Sequence, residues 1–175
     1  MTEHLKIILA CVAAAIIYGI LHDQITARVC VEYFTIFHPP VFATQSPTLL
    51  AFGWGVIATW WVGLFLGLFL ALAARVGPHP KLSVRELLRP IARLILAMAC
   101  CALTAGITGF FLASHHLLPE PEWMSPVLTP SNYPRFMADW FAHNASYASG
   151  FLGGAVLCVL QYRRRGRLQS LVVNS

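Results

Sequence analysis

Apolar positions in this chain fall into four long runs, at 5–21, 49–74, 91–113 and 141–162. The runs contain 17, 26, 23 and 22 residues. A helix needs about 20 apolar residues to cross a bilayer core, within a range of roughly 17–25. Each run therefore predicts one transmembrane helix. The first lies at the short limit and is expected to extend toward Ile25. The second lies at the long limit and is expected to tilt. The polar stretches between runs hold 27, 16 and 27 residues, too few for a separate soluble domain. The fold expected is an all-α membrane protein, a four-transmembrane-helix bundle forming one domain over 1–175. Leu21-His22-Asp23-Gln24 follows the first run where a secretory signal would carry small residues. That run reads as an uncleaved first helix.

Composition removes the alternatives. The chain is 58% hydrophobic and 11% charged, against roughly 45–50% and about 25% in a soluble domain. A chain of 175 residues has too little interior to hide so much apolar surface from water. It also has too little polar surface to stay disordered.

Charge supplies an orientation. Ten of the twelve Lys and Arg fall on one side of the predicted spans: Lys6, Arg75, Lys81, Arg85, Arg89, Arg93, Arg163, Arg164, Arg165 and Arg167. Only Arg28 and Arg135 fall on the other. Basic loops stay in the cytoplasm, so both termini and the middle loop are expected there. The Arg163–Arg167 cluster is expected to meet anionic lipid headgroups. Nucleic acid is not an expected partner, because so short a tail offers no folded reader or aromatic platform.

Local signals refine the spans. Ser83-Val84-Arg85-Glu86 matches a capping box, and Pro90 is expected to interrupt or kink the helix that follows. Small residues recur at spacing four: Gly63, Gly67 and Ala71; Ala105, Gly109 and Ala113; Ser146, Gly150 and Gly154. Such stripes let helices approach closely, within one bundle, in a homo-oligomer or against a membrane-protein partner. The second outer loop carries Pro119, Pro121, Pro126, Pro130 and Pro134, so it should be stiff and non-helical. In the first, Ile25–Phe37 is rich in β-branched and aromatic residues. A short strand and a surface helix both remain open there. The two 27-residue loops are expected to form an ordered outer cap.

The ionisable groups left over are unevenly placed. His22, His38, His115, His116 and His143 lie on the outer side with Asp23, Glu32, Glu120, Glu122 and Asp139. With His neutral, the outer side carries −3 and the inner side +8. His22 and Asp23 end the first run, His115 and His116 end the third, and Asp139 and His143 begin the fourth. Asp139 and His143 share a helical face at i,i+4. Imidazole and carboxylate together suit Zn, Fe, Cu or Mn, and helical bundles build such sites from inward-facing side chains. The candidate ligands for a divalent metal are therefore His22, Asp23, His115, His116, Asp139 and His143. Arg28, Glu32, His38 and Asn144 are expected around them, with Arg28 and Glu32 paired in the cap and Asn144 facing inward beside His143. The five cysteines offer no disulfide framework, since only Cys30 lies outside the predicted spans.

Tyr18-Gly-Ile-Leu-His22-Asp-Gln-Ile-Thr-Ala-Arg28, continued by Cys30-Val-Glu-Tyr-Phe34 and His38-Pro-Pro40, resembles a family of bacterial multi-pass inner-membrane proteins without assigned activity. The likeness runs on through Pro47-Thr-Leu-Leu and Gly53–Gly63 and covers about the first third of the chain. It implies a bacterial inner membrane and supplies no functional residues.

Three function classes follow. The leading one is a membrane protein binding a divalent metal or small ligand at its outer face, where an enzymatic role has no motif to support it. The second is a transporter or channel subunit, which would need polar groups deep in the spans. Only Thr59, Thr104, Thr108 and Ser149 stand out there, and that scarcity disfavours a charged permeant. The third is a structural accessory subunit of a membrane complex.

Overall fold

Four helical segments of this sequence are long and apolar enough to cross a membrane: Glu3–Val29, Pro47–Arg75, Val84–Ser114 and Tyr133–Ser170. The computed structural model describes residues 1–124 and 126–173, with side chains described to residue 170. Among the described residues there are six α-helices and no strand. They are α1 (Glu3–Val29), α2 (Val31–Thr35), α3 (Pro47–Ile57), α4 (Trp60–Arg75), α5 (Val84–Ser114) and α6 (Tyr133–Val173).

Helix α1 starts at Thr2, whose hydroxyl accepts from the Leu5 N–H at 3.4 Å. It does not end near Leu21. Asp23, Thr26 and Ala27 are buried on its inner face, and the helix stops only where Cys30 turns extended at φ −148°. The Ile25–Phe37 segment is therefore helical, as the end of α1 and then α2, and a strand is ruled out. Tertiary burial of Tyr33 and Phe34 outweighs their β propensity.

The second span is broken where a single tilted helix was expected. Thr59 donates its hydroxyl to the Gly55 carbonyl at 2.5 Å, and its N–H reaches the Val56 carbonyl at 3.3 Å. That tighter turn separates α3 from α4. The break faces α1 at its closest approach. A Cβ on Gly55 would lie 2.5 Å from the Ile20 backbone nitrogen, and one on Gly63 would lie 2.7 Å from Val12 Cα. Only glycine permits these crossings.

Helix α5 has the expected capping box at Ser83 and Glu86. Pro90 lies within it, yet the helix is unbroken from Val84 to Ser114, which corrects the expected interruption. Residue 90 is in the second turn, so the ring costs one early backbone bond. α5 packs chiefly on α6, and α1 on α3 and α4. Gly109 marks the α5–α6 contact, since a Cβ there would lie 2.5 Å from the Met137 carbonyl.

The bundle has two apolar cores. At the acidic end Ala27, Tyr33, Phe34, Leu50, Leu128 and Phe136 pack together. At the basic end Ile7, Leu70, Ala74, Leu82, Leu87 and Ile91 do so. Arg165 corrects the picture of a headgroup-facing cluster. It is fully buried at 0% exposure. Its guanidinium donates to the carbonyls of Pro80 (2.7 Å), Ala73 (2.7 Å), Val76 (2.9 Å) and His79 (2.9 Å). These are carbonyls of the C-terminal turn of α4 and the loop after it, which the helix itself leaves without partners. The opposite faces carry exposed apolar side chains such as Leu21 (62%), Leu103 (66%) and Leu152 (71%), surface suited to acyl chains rather than water.

Candidate functional site

At the acidic end α1 and α6 bring His22, Asp23 and His143 together. One potential ligand atom from each lies within 4.8 Å of the others. His143 is held by its own helix, with Nδ1 at 2.8 Å from the Asp139 carbonyl. A carbonyl can only accept, so Nδ1 carries a proton, and in the neutral ring Nε2 carries the lone pair. That lone pair meets Asp23 Oδ1 at 3.2 Å. Two acceptors facing each other at this distance need a proton or a cation between them. His22 adds a third group: its Nε2 is buried and has no hydrogen-bond partner among the described residues.

Aromatic rings fix the orientation of these groups. Tyr33 stacks on His143 with centroids 4.5 Å apart, and Tyr18 stacks on His22 at 5.7 Å. His22 and His143 meet edge to face at 4.6 Å. The Tyr18 and Ser146 hydroxyls hydrogen-bond across the bundle at 2.7 Å. His38, beyond α2, repeats the His143 arrangement, with Nδ1 at 2.7 Å from the Tyr33 carbonyl. It packs on Phe34 and Trp54, and burial among them lowers its pKa below the usual histidine value. The same enclosure pushes the Tyr33 phenol up and the Cys30 thiol up to about 12, since burial disfavours each charged form.

The remaining candidates lie elsewhere. His115 and His116 are exposed beyond the end of α5, where the His115 ring packs on Phe111. α5 leans on α6 instead of closing against α1, so its end does not bring them to the cluster. The Asp139 carboxylate is buried at 1% exposure with Oδ2 unpartnered among the described residues, but it is outside the three-residue group. Asp139 serves the site through its backbone carbonyl. Arg28 and Glu32 do not pair. Arg28 donates to Gln24 and Thr48, while Glu32 accepts from Asn132 at 2.9 Å and from the Cys30 thiol at 3.4 Å. Asn144 is exposed and returns its amide to the Trp140 carbonyl, because one residue after His143 is about 100° around the helix.

Sequence reasoning missed Tyr18, Tyr33 and Ser146 as neighbours of the cluster. Tyr18 precedes His22 by four residues and Ser146 follows His143 by three, so helical spacing alone marks both. Tyr33 carried no such signal, since its place depends on how α2 folds back. The deep hydroxyls are used locally: Thr59, Thr104, Thr108 and Ser149 each donate to a carbonyl four residues back.

No family model, curated protein or solved structure matches the chain.

Proposed function

We propose that this chain is an integral membrane protein that holds one divalent transition-metal ion between His22, Asp23 and His143. The observation that carries the proposal is the pair of lone-pair donors, His143 Nε2 and Asp23 Oδ1, facing each other at 3.2 Å. Bonds of about 2.0–2.2 Å at tetrahedral angles put ligand atoms roughly 3.3–3.6 Å apart. The His143–Asp23 separation of 3.2 Å lies just under that range, and a potential ligand atom of His22 lies within 4.8 Å of both. Two histidines and one carboxylate form the ligand set of non-haem Fe(II) sites and of catalytic zinc sites. Such sites keep a position open for an exogenous ligand. The Nδ1 bond to the Asp139 carbonyl is the kind of support that orients a ligating imidazole. We place the protein in a bacterial inner membrane with its basic end in the cytoplasm.

A protonated His143–Asp23 pair is the competing account, favoured by the same contact. Metal analysis separates the two. Protein purified without chelator and equilibrated with Zn²⁺ or Fe²⁺, then desalted, is expected to keep about one equivalent. His143→Ala and His22→Ala should each lower the affinity by about 100-fold, while Asn144→Ala on the same helix should retain the ion. A wild type that retains neither metal refutes the proposal and leaves the shared proton.

A further inference from the structure

The polar cluster is one end of a cavity of about 140 Å³ inside the bundle. The cavity runs from His22, Asp23 and His143 to Ile91, Leu157 and Cys158. His143 and Cys158 are fifteen residues apart on α6, so the cavity is ~22 Å long at 1.5 Å per residue. That exceeds half of a hydrocarbon core of about 30 Å. A space this long and this narrow suits one extended chain.

The two ends differ in chemistry. Imidazoles, a carboxylate and the hydroxyls of Tyr18, Ser146 and Tyr147 gather at the acidic end. Below them the lining is Ala14, Leu66, Leu94, Met98 and similar apolar residues. The far end is lined by buried Leu70 and Ile91, at 2% and 8% exposure. An apolar end disfavours a polar tail. α5 contributes Ile91, Leu94, Ile95 and Met98 but nothing beyond Met98, because from Gly106 onward it packs on α6 at Ala138, Ala142 and Met137. Near the cluster the cavity is therefore walled by the other helices without α5.

We infer that the cavity binds a single-chain lipid with a carboxylate head, a long-chain fatty acid, with its head at the His22–Asp23–His143 cluster and its chain extending to Leu157. This inference rests on the metal reading above. A divalent ion with one aspartate leaves a net charge of +1 in a low-dielectric site, and an unpaired buried charge is costly. A carboxylate at the open coordination position neutralises it. Without the ion the head would meet Asp23 as a like charge.

The test is photo-crosslinking in lipid nanodiscs with palmitate carrying a diazirine at its ω end, followed by peptide mapping. With Zn²⁺ present, adducts are expected at Ile91, Leu157 and Cys158, inside the cavity. Gly150→Leu adds bulk where the only near neighbour is the flexible end of Met98, 3.0 Å from the new Cβ. Met98→Trp fills the same space from α5. Each variant is expected to lower these adducts by about tenfold, with adducts at lipid-facing Leu152 unchanged. Chelation should lower the cavity adducts similarly. Retained metal with adducts only at Leu152 and its like overturns this inference and leaves the metal site standing. Absent metal with cavity adducts that resist chelation overturns the metal site and leaves the chain site. Absence of both overturns both.

Discussion

Replacing Arg165 tests whether the basic end is held by one buried cation. Its guanidinium makes four hydrogen bonds to carbonyls at residues 73, 76, 79 and 80, and no part of it is exposed. Hydrogen bonds from a charged donor contribute about 1.5–3 kcal/mol each, and a buried polar group left unpaired costs about 1–3 kcal/mol. Lysine keeps the charge, but its donors radiate from one nitrogen and cannot span four carbonyls arranged around a planar fork. If two of the bonds are lost, Arg165→Lys should cost about 3 kcal/mol. Arg165→Met fills similar space and removes the charge, but it leaves the carbonyls of this turn without a donor. Water at the membrane surface can solvate some of them, so the expected cost is about 3–5 kcal/mol. Unfolding by SDS in mixed micelles, followed by circular dichroism, measures both variants against wild type. Arg167→Met, at an exposed position, is the control and should change stability by less than about 0.5 kcal/mol. If Arg165→Met unfolds within about 1 kcal/mol of wild type, the guanidinium does not organise this end and the argument fails.

Other consequences are open to test. Gly109→Leu would place a Cβ 2.5 Å from the Met137 carbonyl and should destabilise the α5–α6 contact by about 1–3 kcal/mol or more, seen in the same SDS titration. His38 titrates below its unfolded value through burial, with Tyr33 packed on its ring and Asp23 and His143 also acting on it. The folded state thus binds fewer protons than the unfolded one around pH 6. The stability from neutral His38 is full above about pH 6.5 and is lost as pH falls through the folded value. In chelator-treated protein, His38→Phe should flatten stability between about pH 7 and 5, and an unchanged slope would refute the assignment. Burial and a thiol pKa of about 12 should leave Cys30 unmodified by a membrane-impermeant maleimide until the protein is unfolded; rapid labelling of the native protein would show that the segment opens. Reporter fusions at the two ends of the middle loop should report a cytoplasmic location, and an extracytoplasmic one would reverse the proposed orientation.

The sequence by itself determined the four spans. Hydropathy runs are a one-dimensional signal, and a bilayer leaves the backbone little choice but helix. The glycine spacing on α4 marked a face for close packing, and the structure assigned that face to α1, where Gly63 lies against Val12. Histidine and acidic residues were legible as concentrated at one end, since charge sorts by membrane side. Which of them meet was decided only in three dimensions. His22, Asp23 and His143 converge because α1 runs past Asp23 and α6 turns His143 inward. His115 and His116 stay apart because α5 leans on α6. Arg165 looked like its neighbours in the basic cluster, yet its position on α6 faces the end of α4, where unpaired carbonyls await a donor. Hydropathy places a residue along the membrane normal. Its rotation about the helix axis, and the neighbour that face meets, are fixed only when the helices pack.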